Sequence, residues 1–169
     1  FVVEPKLVRG LDYYRRTTFE FVADARDALV RELSPLAYVV TPNVPEAEAL
    51  TGIRVSDMES MQEAARILHA KGPRHVVIKG GHLAGAESID LLFDGASFQT
   101  FSSARIDTKN THGTGCTFSA AIAGLLAKGF DVVASVEGAK AYLTKAIRHA
   151  LPLGKGHGPL MHHWMAQDE

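Results

Sequence analysis

Nine consecutive residues, Asn110-Thr111-His112-Gly113-Thr114-Gly115-Cys116-Thr117-Phe118, combine glycines, small hydroxyl side chains and the chain's single cysteine directly before an apolar-periodic run. That order describes a tight loop opening a helix. A helix start aims unpaired backbone N–H groups and the positive end of the dipole at whatever lies above it, which suits a phosphate. A thiolate at Cys116 would be stabilised in the same place, whereas a buried Cys116 would act as a small hydrophobe. A phosphate cradle beside a potential base is the equipment of phosphoryl transfer.

Two further groups fit that chemistry. Asn43 and Glu46 flank Val44-Pro45 and have the types and spacing of a capping box. The same two side chains could serve a Mg²⁺ ion or its waters, since magnesium takes few protein oxygens and keeps several waters. Lys79, followed by Gly80 and Gly81, could reach phosphate oxygens from a strand end or remain an ordinary solvated lysine. The spacing is not that of a Walker P-loop.

The elements that must position these residues alternate. Ala23 to Leu33 has helical composition, and Leu36 to Val40 reads as a buried strand ended by Thr41-Pro42. A short helix from Pro45 to Leu50 stops at Thr51-Gly52. Ser56 and Glu59 form a capping box for a helix with Met58, Met61, Ala65 and Leu68 on one face, ended by Gly72-Pro73. His75 to Ile78 is a second buried strand. Ile89 to Phe93 and Phe98 to Phe101 form a hairpin across Asp94-Gly95. The helix after Cys116 buries Phe118, Ala121, Ile122, Leu125 and Leu126, with Ala120, Ala121 and Gly124 allowing close approach to a sheet. Asp131 starts a last helix burying Val136, Ala139, Leu143, Ala146, Ile147 and Ala150, and Gly154 to Pro159 is a loop. The pattern predicts an α/β layered fold with a mostly parallel sheet, whose strand ends gather Asn43, Lys79 and the Gly113–Cys116 loop.

The 169 residues suffice for one domain with a substantial core. A net charge of −1 and a pI near 6.8 make no case for nucleic acid or an acidic membrane. One cysteine excludes an internal disulfide framework and suits a reducing, cytoplasmic setting; no apolar run has the length of a membrane span. The first residue is not methionine, as in an excised, processed or fused chain. Only His162 and His163 are adjacent among eight histidines, and no further ligand at metal-site spacing accompanies them.

Residues 23 to 164 resemble the C-terminal half of hydroxymethylpyrimidine/phosphomethylpyrimidine kinase of thiamine biosynthesis, in the ribokinase-like superfamily. Four strings carry the resemblance in the family's order: Val39 to Leu50, Val77 to His82, Asn110 to Thr117, and Gly154-x-Gly156-His157-Gly158-Pro159-Leu160. The resemblance implies ATP as phosphoryl donor, Mg²⁺ as counter-ion and a small pyrimidine as acceptor. It casts Gly113, Thr114, Gly115 and Cys116 as the anion hole, with Cys116 standing where most of the superfamily has an aspartate base. Asn43 and Glu46 match the metal motif. Lys79, Gly80, Gly81 and Thr111 fall to the nucleotide.

Residues 7 to 22 are similar instead to the histidine-binding motif of histidyl-tRNA synthetase, on the string Leu7-Val8-Arg9-Gly10-Leu11-Asp12-Tyr13-Tyr14. In that family the residue matched by Arg9 helps activate a carboxylate, and that matched by Tyr14 lines the histidine pocket. The chain therefore divides at residues 1–22 and 23–169, as a junction of two genes. The kinase family's glycine-rich A-G-S-D start has no counterpart here. The implied domain is truncated at its N-terminal half, with an exposed sheet edge that favours homo-oligomers. On that basis a nucleotide site with weak or no kinase turnover is expected. The alternatives are an inactive chimeric scaffold and a histidine-binding fragment.

Overall fold

The computed structural model describes residues 29–82, 85–151 and 156–164. The division at residue 22 and most of the Ala23 to Leu33 helix lie outside them. Over Leu29–Leu33 the chain makes one wide π-helical turn, followed by a 3-10 turn over Ser34–Leu36. Pro35 sets that tighter turn, so the first strand is confined to β1, Val39–Val40, rather than beginning at Leu36.

Helix α1 spans Val44–Thr51 and ends at Gly52, and α2 spans Met58–His69. The cap of α2 is one residue later than the sequence pattern indicated. Asp57 Oδ1 accepts the Ser60 N–H at 2.8 Å, and Ser60 Oγ accepts the Asp57 N–H at 3.1 Å. Asp57 has the extended backbone of an N-cap, and the Ser56 hydroxyl instead donates to Asp57 Oδ2 at 3.3 Å.

Strand β2, His75–Lys79, pairs with β1 in parallel register, Val39 opposite His75 and Val40 opposite Val76. Strands β3, Glu87–Phe93, and β4, Phe98–Ala104, complete the order β1-β2-β3-β4. Both of their pairings are antiparallel. The described sheet is thus mixed, not mostly parallel. The two-helix crossover from β1 makes its pairing with β2 parallel, while short connections reverse the chain twice. In the second reversal Asp94 Oδ1 accepts the N–H groups of Ala96 and Ser97.

Helices α3, Thr114–Ala127, and α4, Val132–Arg148, follow. Strand alternation divides the core between the two faces of the sheet. Val76, Ile78, Leu91 and Phe93 pack against α1 and α2, with Met61, Ala64 and Ala65 fully buried. On the opposite face Val77, Leu92 and Phe101 meet Phe118 and Ile122 of α3 and Val136 and Ala139 of α4.

The small residues Ala120 and Gly124 face away from the sheet and are exposed, contrary to expectation. The close approach falls to α4, where a Cβ on Gly138 would lie 2.9 Å from Leu125 Cδ1. The buried face of α4 also differs. Leu143 and Ile147 are half-buried, Ala150 lies past the helix end, and Ser135 and Lys140 are buried.

Candidate functional site

Parallel pairing carries β1 and β2 to one edge of the sheet. The Lys79 N–H donates to the Pro42 carbonyl at 2.9 Å, and Asn43 bridges Lys79 in parallel register. Asn43 then caps α1: its Oδ1 accepts the Glu46 N–H at 2.8 Å, and Glu46 Oε2 accepts the Asn43 N–H at 2.7 Å. Glu46 Oε2 also stands 3.9 Å from Lys79 Nζ. The Lys79 side chain is 19% exposed and that of Glu46 55%, so solvent weakens this pair.

Beyond the ammonium is the start of α3. A Cβ on Gly115 would lie 3.3 Å from Lys79 Nζ, so the absence of a side chain brings the cation against the helix backbone. Gly113 sits before the helix at φ 84°, a left-handed conformation suited to glycine, and supplies no capping side chain. The Thr114 N–H reaches the Thr111 carbonyl at 3.3 Å, and the Thr117 N–H reaches Gly113 at 2.9 Å. The N–H groups of Gly115 and Cys116 find no acceptor among the described residues. Two open amides and the helix dipole thus stand beside a lysine ammonium, the chemistry of a candidate anion site.

A cleft of about 480 Å³ opens over this point, with Asn43, Lys79, Gly81, Thr111, Thr114 and Gly115 on its wall. Gly80 lies beneath, buried, where a Cβ would strike the Ile89 carbonyl. Glu46 and Cys116 do not line this cleft. Cys116 is exposed, which removes its reading as a buried hydrophobe, and it borders a separate groove with Ala120, Gly124, Tyr142 and His162. The helix start therefore has the cleft on one side and the thiol on the other. Thr41 Oγ1 and Ser119 Oγ, 2.8 Å apart, tie α3 to the end of β1; Ser119 Oγ donates to the Gly115 carbonyl at 3.0 Å.

Three participants escaped the sequence reading. Asp90 and Lys140 form a buried ion pair at 2.8 Å in the cleft floor, and Arg105 donates to the carbonyls of Gly81 at 2.6 Å and Gly85 at 2.9 Å. The available signal was a carboxylate in the strand pattern Ile89-Asp90-Leu91 and a lysine beside Ala139 on an apolar stripe. The loop around His157 also packs back on the motif. The His112 N–H donates to the Gly158 carbonyl at 3.3 Å, and His157 Nδ1 lies 3.1 Å from the Lys109 carbonyl. Two of the four recognised strings are thus neighbours in space.

These features define an α/β protein of ribokinase-like fold with a candidate anion site at a helix start beside a strand-end lysine. The family model described as phosphomethylpyrimidine kinase matches residues 16–161, and the chain belongs to that family. That match begins inside the segment similar to the synthetase motif. The chain is 58% identical over 144 residues to the thiamine biosynthesis bifunctional protein ThiED of Geobacter sulfurreducens, covering 85% of this chain and 29% of that protein. It is 50% identical over 145 residues to the hydroxymethylpyrimidine/phosphomethylpyrimidine kinase of Haemophilus influenzae, covering 83% and 53% respectively. Among solved structures, the pyridoxal kinase of Staphylococcus aureus in complex with AMP-PCP and pyridoxal superimposes with a TM-score of 0.84 at 36% identity. That match covers 88% of this chain and 56% of the other. The chain spans about half the length of the single-function kinase and less of the bifunctional protein.

Proposed function

We propose that this chain carries the phosphate-handling part of a kinase site that transfers the terminal phosphoryl group of ATP to a hydroxymethylpyrimidine or its phosphate ester. The observation that carries the reading is Lys79 Nζ held against Gly115 at an uncapped helix start. Phosphoryl transfer needs positioning and charge stabilisation more than covalent chemistry, and this arrangement offers both. Relatives named as hydroxymethylpyrimidine/phosphomethylpyrimidine kinases and a similar structure holding an ATP analogue support the choice of donor and acceptor.

In this reading the cleft takes the nucleotide, with Gly81 and Thr111 along its phosphates and Gly80 in the turn beneath them. The open amides of Gly115 and Cys116 and the Lys79 ammonium hold the transferring group. The acceptor approaches from the Cys116 side. Its hydroxyl oxygen, or a phosphate oxygen of the ester, forms the new bond to the terminal phosphorus, any proton on that oxygen passes to the Cys116 sulfur, and the bond to the bridging oxygen breaks to release ADP.

Magnesium fits this site only in part. The capping box engages Asn43 Oδ1 and Glu46 Oε2, so Glu46 Oε1 is the carboxylate oxygen outside the box. Among the described residues no group of three or more His, Cys, Asp or Glu is placed to hold a metal. An ion held mainly by nucleotide phosphates and water, with Glu46 touching its waters, is compatible with those donors. It would neutralise charge on the phosphates.

The test is Mg·ATP-dependent phosphorylation of hydroxymethylpyrimidine and its phosphate, followed by ADP release. Turnover that Cys116→Ala abolishes supports the reading. Turnover unchanged in Cys116→Ala removes the thiol from the reaction, and the absence of both turnover and ATP binding in the unaltered chain overturns the reading.

A further inference from the structure

Asp90 lines the cleft, buried in strand β3. It lies opposite Lys79 in the β2–β3 register, and its two carboxylate oxygens are divided between two donors. Oδ1 accepts the Gly80 N–H at 3.0 Å and Oδ2 accepts Lys140 Nζ at 2.8 Å. Both side chains of the pair are only 9% exposed, yet both border the cleft. Among the described residues Lys140 has no other acceptor.

This arrangement poses an electrostatic problem for a site that takes a polyanion. An isolated buried carboxylate beneath the phosphates would repel them through a medium that screens poorly. It is nevertheless needed, because Gly80 is buried against the Ile89 carbonyl and its amide requires an acceptor. Lys140, reaching in from α4, cancels the charge while leaving the acceptor in place.

We propose that Asp90 and Lys140 are positioning residues for the phosphate site. Asp90 anchors the Lys79-Gly80 turn that sets Lys79 against Gly115, and Lys140 neutralises Asp90 so that the anchored cleft accepts a nucleotide's phosphates. The assignment rests on the nucleotide reading above. Its distinguishing feature is that Lys140 matters for the phosphates and not for the base or sugar.

Titration calorimetry with ADP and with adenosine separates these contributions. Lys140→Gln keeps a hydrogen-bond donor for Asp90 and removes the positive charge. It is expected to weaken ADP binding by about tenfold or more at pH 8 while leaving adenosine within about twofold. Asp90→Asn/Lys140→Gln retains an acceptor for Gly80 with no net charge, and is expected to return ADP affinity to within about threefold of the unaltered chain. Thermal melts confirm that each variant is folded. Equal losses for ADP and adenosine in Lys140→Gln, no loss for either, or failure of the double variant to recover would overturn the assignment alone. Absence of ADP binding by the unaltered chain would overturn the nucleotide reading and the assignment with it.

Discussion

Lys79 stands between the Glu46 carboxylate and the backbone of Gly115, and the two neighbours act on it differently. The exposed carboxylate orients the ammonium weakly, while the glycine leaves it room at the helix start. Lys79→Ala is expected to weaken ADP binding by about 10- to 100-fold, the worth of one charge-assisted hydrogen bond, as read by calorimetry at constant salt. Glu46→Gln preserves the acceptor that caps Asn43 and removes only the charge. Stability should therefore stay within about 0.5 kcal/mol of the parent in urea unfolding. A fall in the Mg²⁺ dependence of phosphorylation would then assign the Glu46 charge to the ion's waters. An unchanged dependence would leave Glu46 as a cap.

At the scale of elements, the β3–β4 turn makes the most specific pH prediction. The Asp94 carboxyl is held well below its ordinary 3.8, at about 2, first by the Ser97 backbone N–H, then by the Ala96 N–H and the Ser97 hydroxyl. A carboxyl depressed in the folded state contributes stability above its unfolded value and loses that contribution as pH falls through the folded value. The difference in melting temperature between the parent and Asp94→Asn is therefore expected to be constant at neutral pH and to shrink between about pH 4 and pH 2. A difference that persists unchanged at pH 2 would contradict the assignment. The cap of α2 offers a parallel test: Asp57→Ala should lower the urea midpoint, and Ser56→Ala should lower it much less.

For the molecule as a whole, the decisive feature is a sheet covered on both faces. Met61 is fully buried between α2 and the sheet, and its Cε would lie 3.4 Å from a Cβ on Gly80, so this core supports the floor of the site. Met61→Ala is expected to destabilise by about 2–5 kcal/mol. If the cleft binds ADP in the folded state, ligand at 100 times its Kd should restore about 2.7 kcal/mol of that loss. Differential unfolding with and without ADP measures both quantities. No helix among the described residues is long and apolar enough to cross a membrane.

Local order was legible wherever a residue's role depends on near neighbours. The Asn43–Glu46 box, the helix opening after Gly113 and the hairpin at Asp94-Gly95 follow from spacing, because short-range hydrogen bonds and backbone conformations create them. The choice between Ser56 and Asp57 as cap needed backbone angles to resolve, since each is a good capping residue three positions before a possible partner. The partner of Asp90 was not legible at all. Asp90 and Lys140 are fifty positions apart, and only the packing of α4 across the sheet makes a lysine on an apolar stripe the counter-charge of a buried carboxylate. The pairing directions of the sheet and the exposure of Cys116 were decided in the same way. The sequence by itself determined the chemistry available at each turn and strand end. The tertiary structure decided which of those groups share one low-dielectric space, where burial gives each charge and each unpaired donor its consequence.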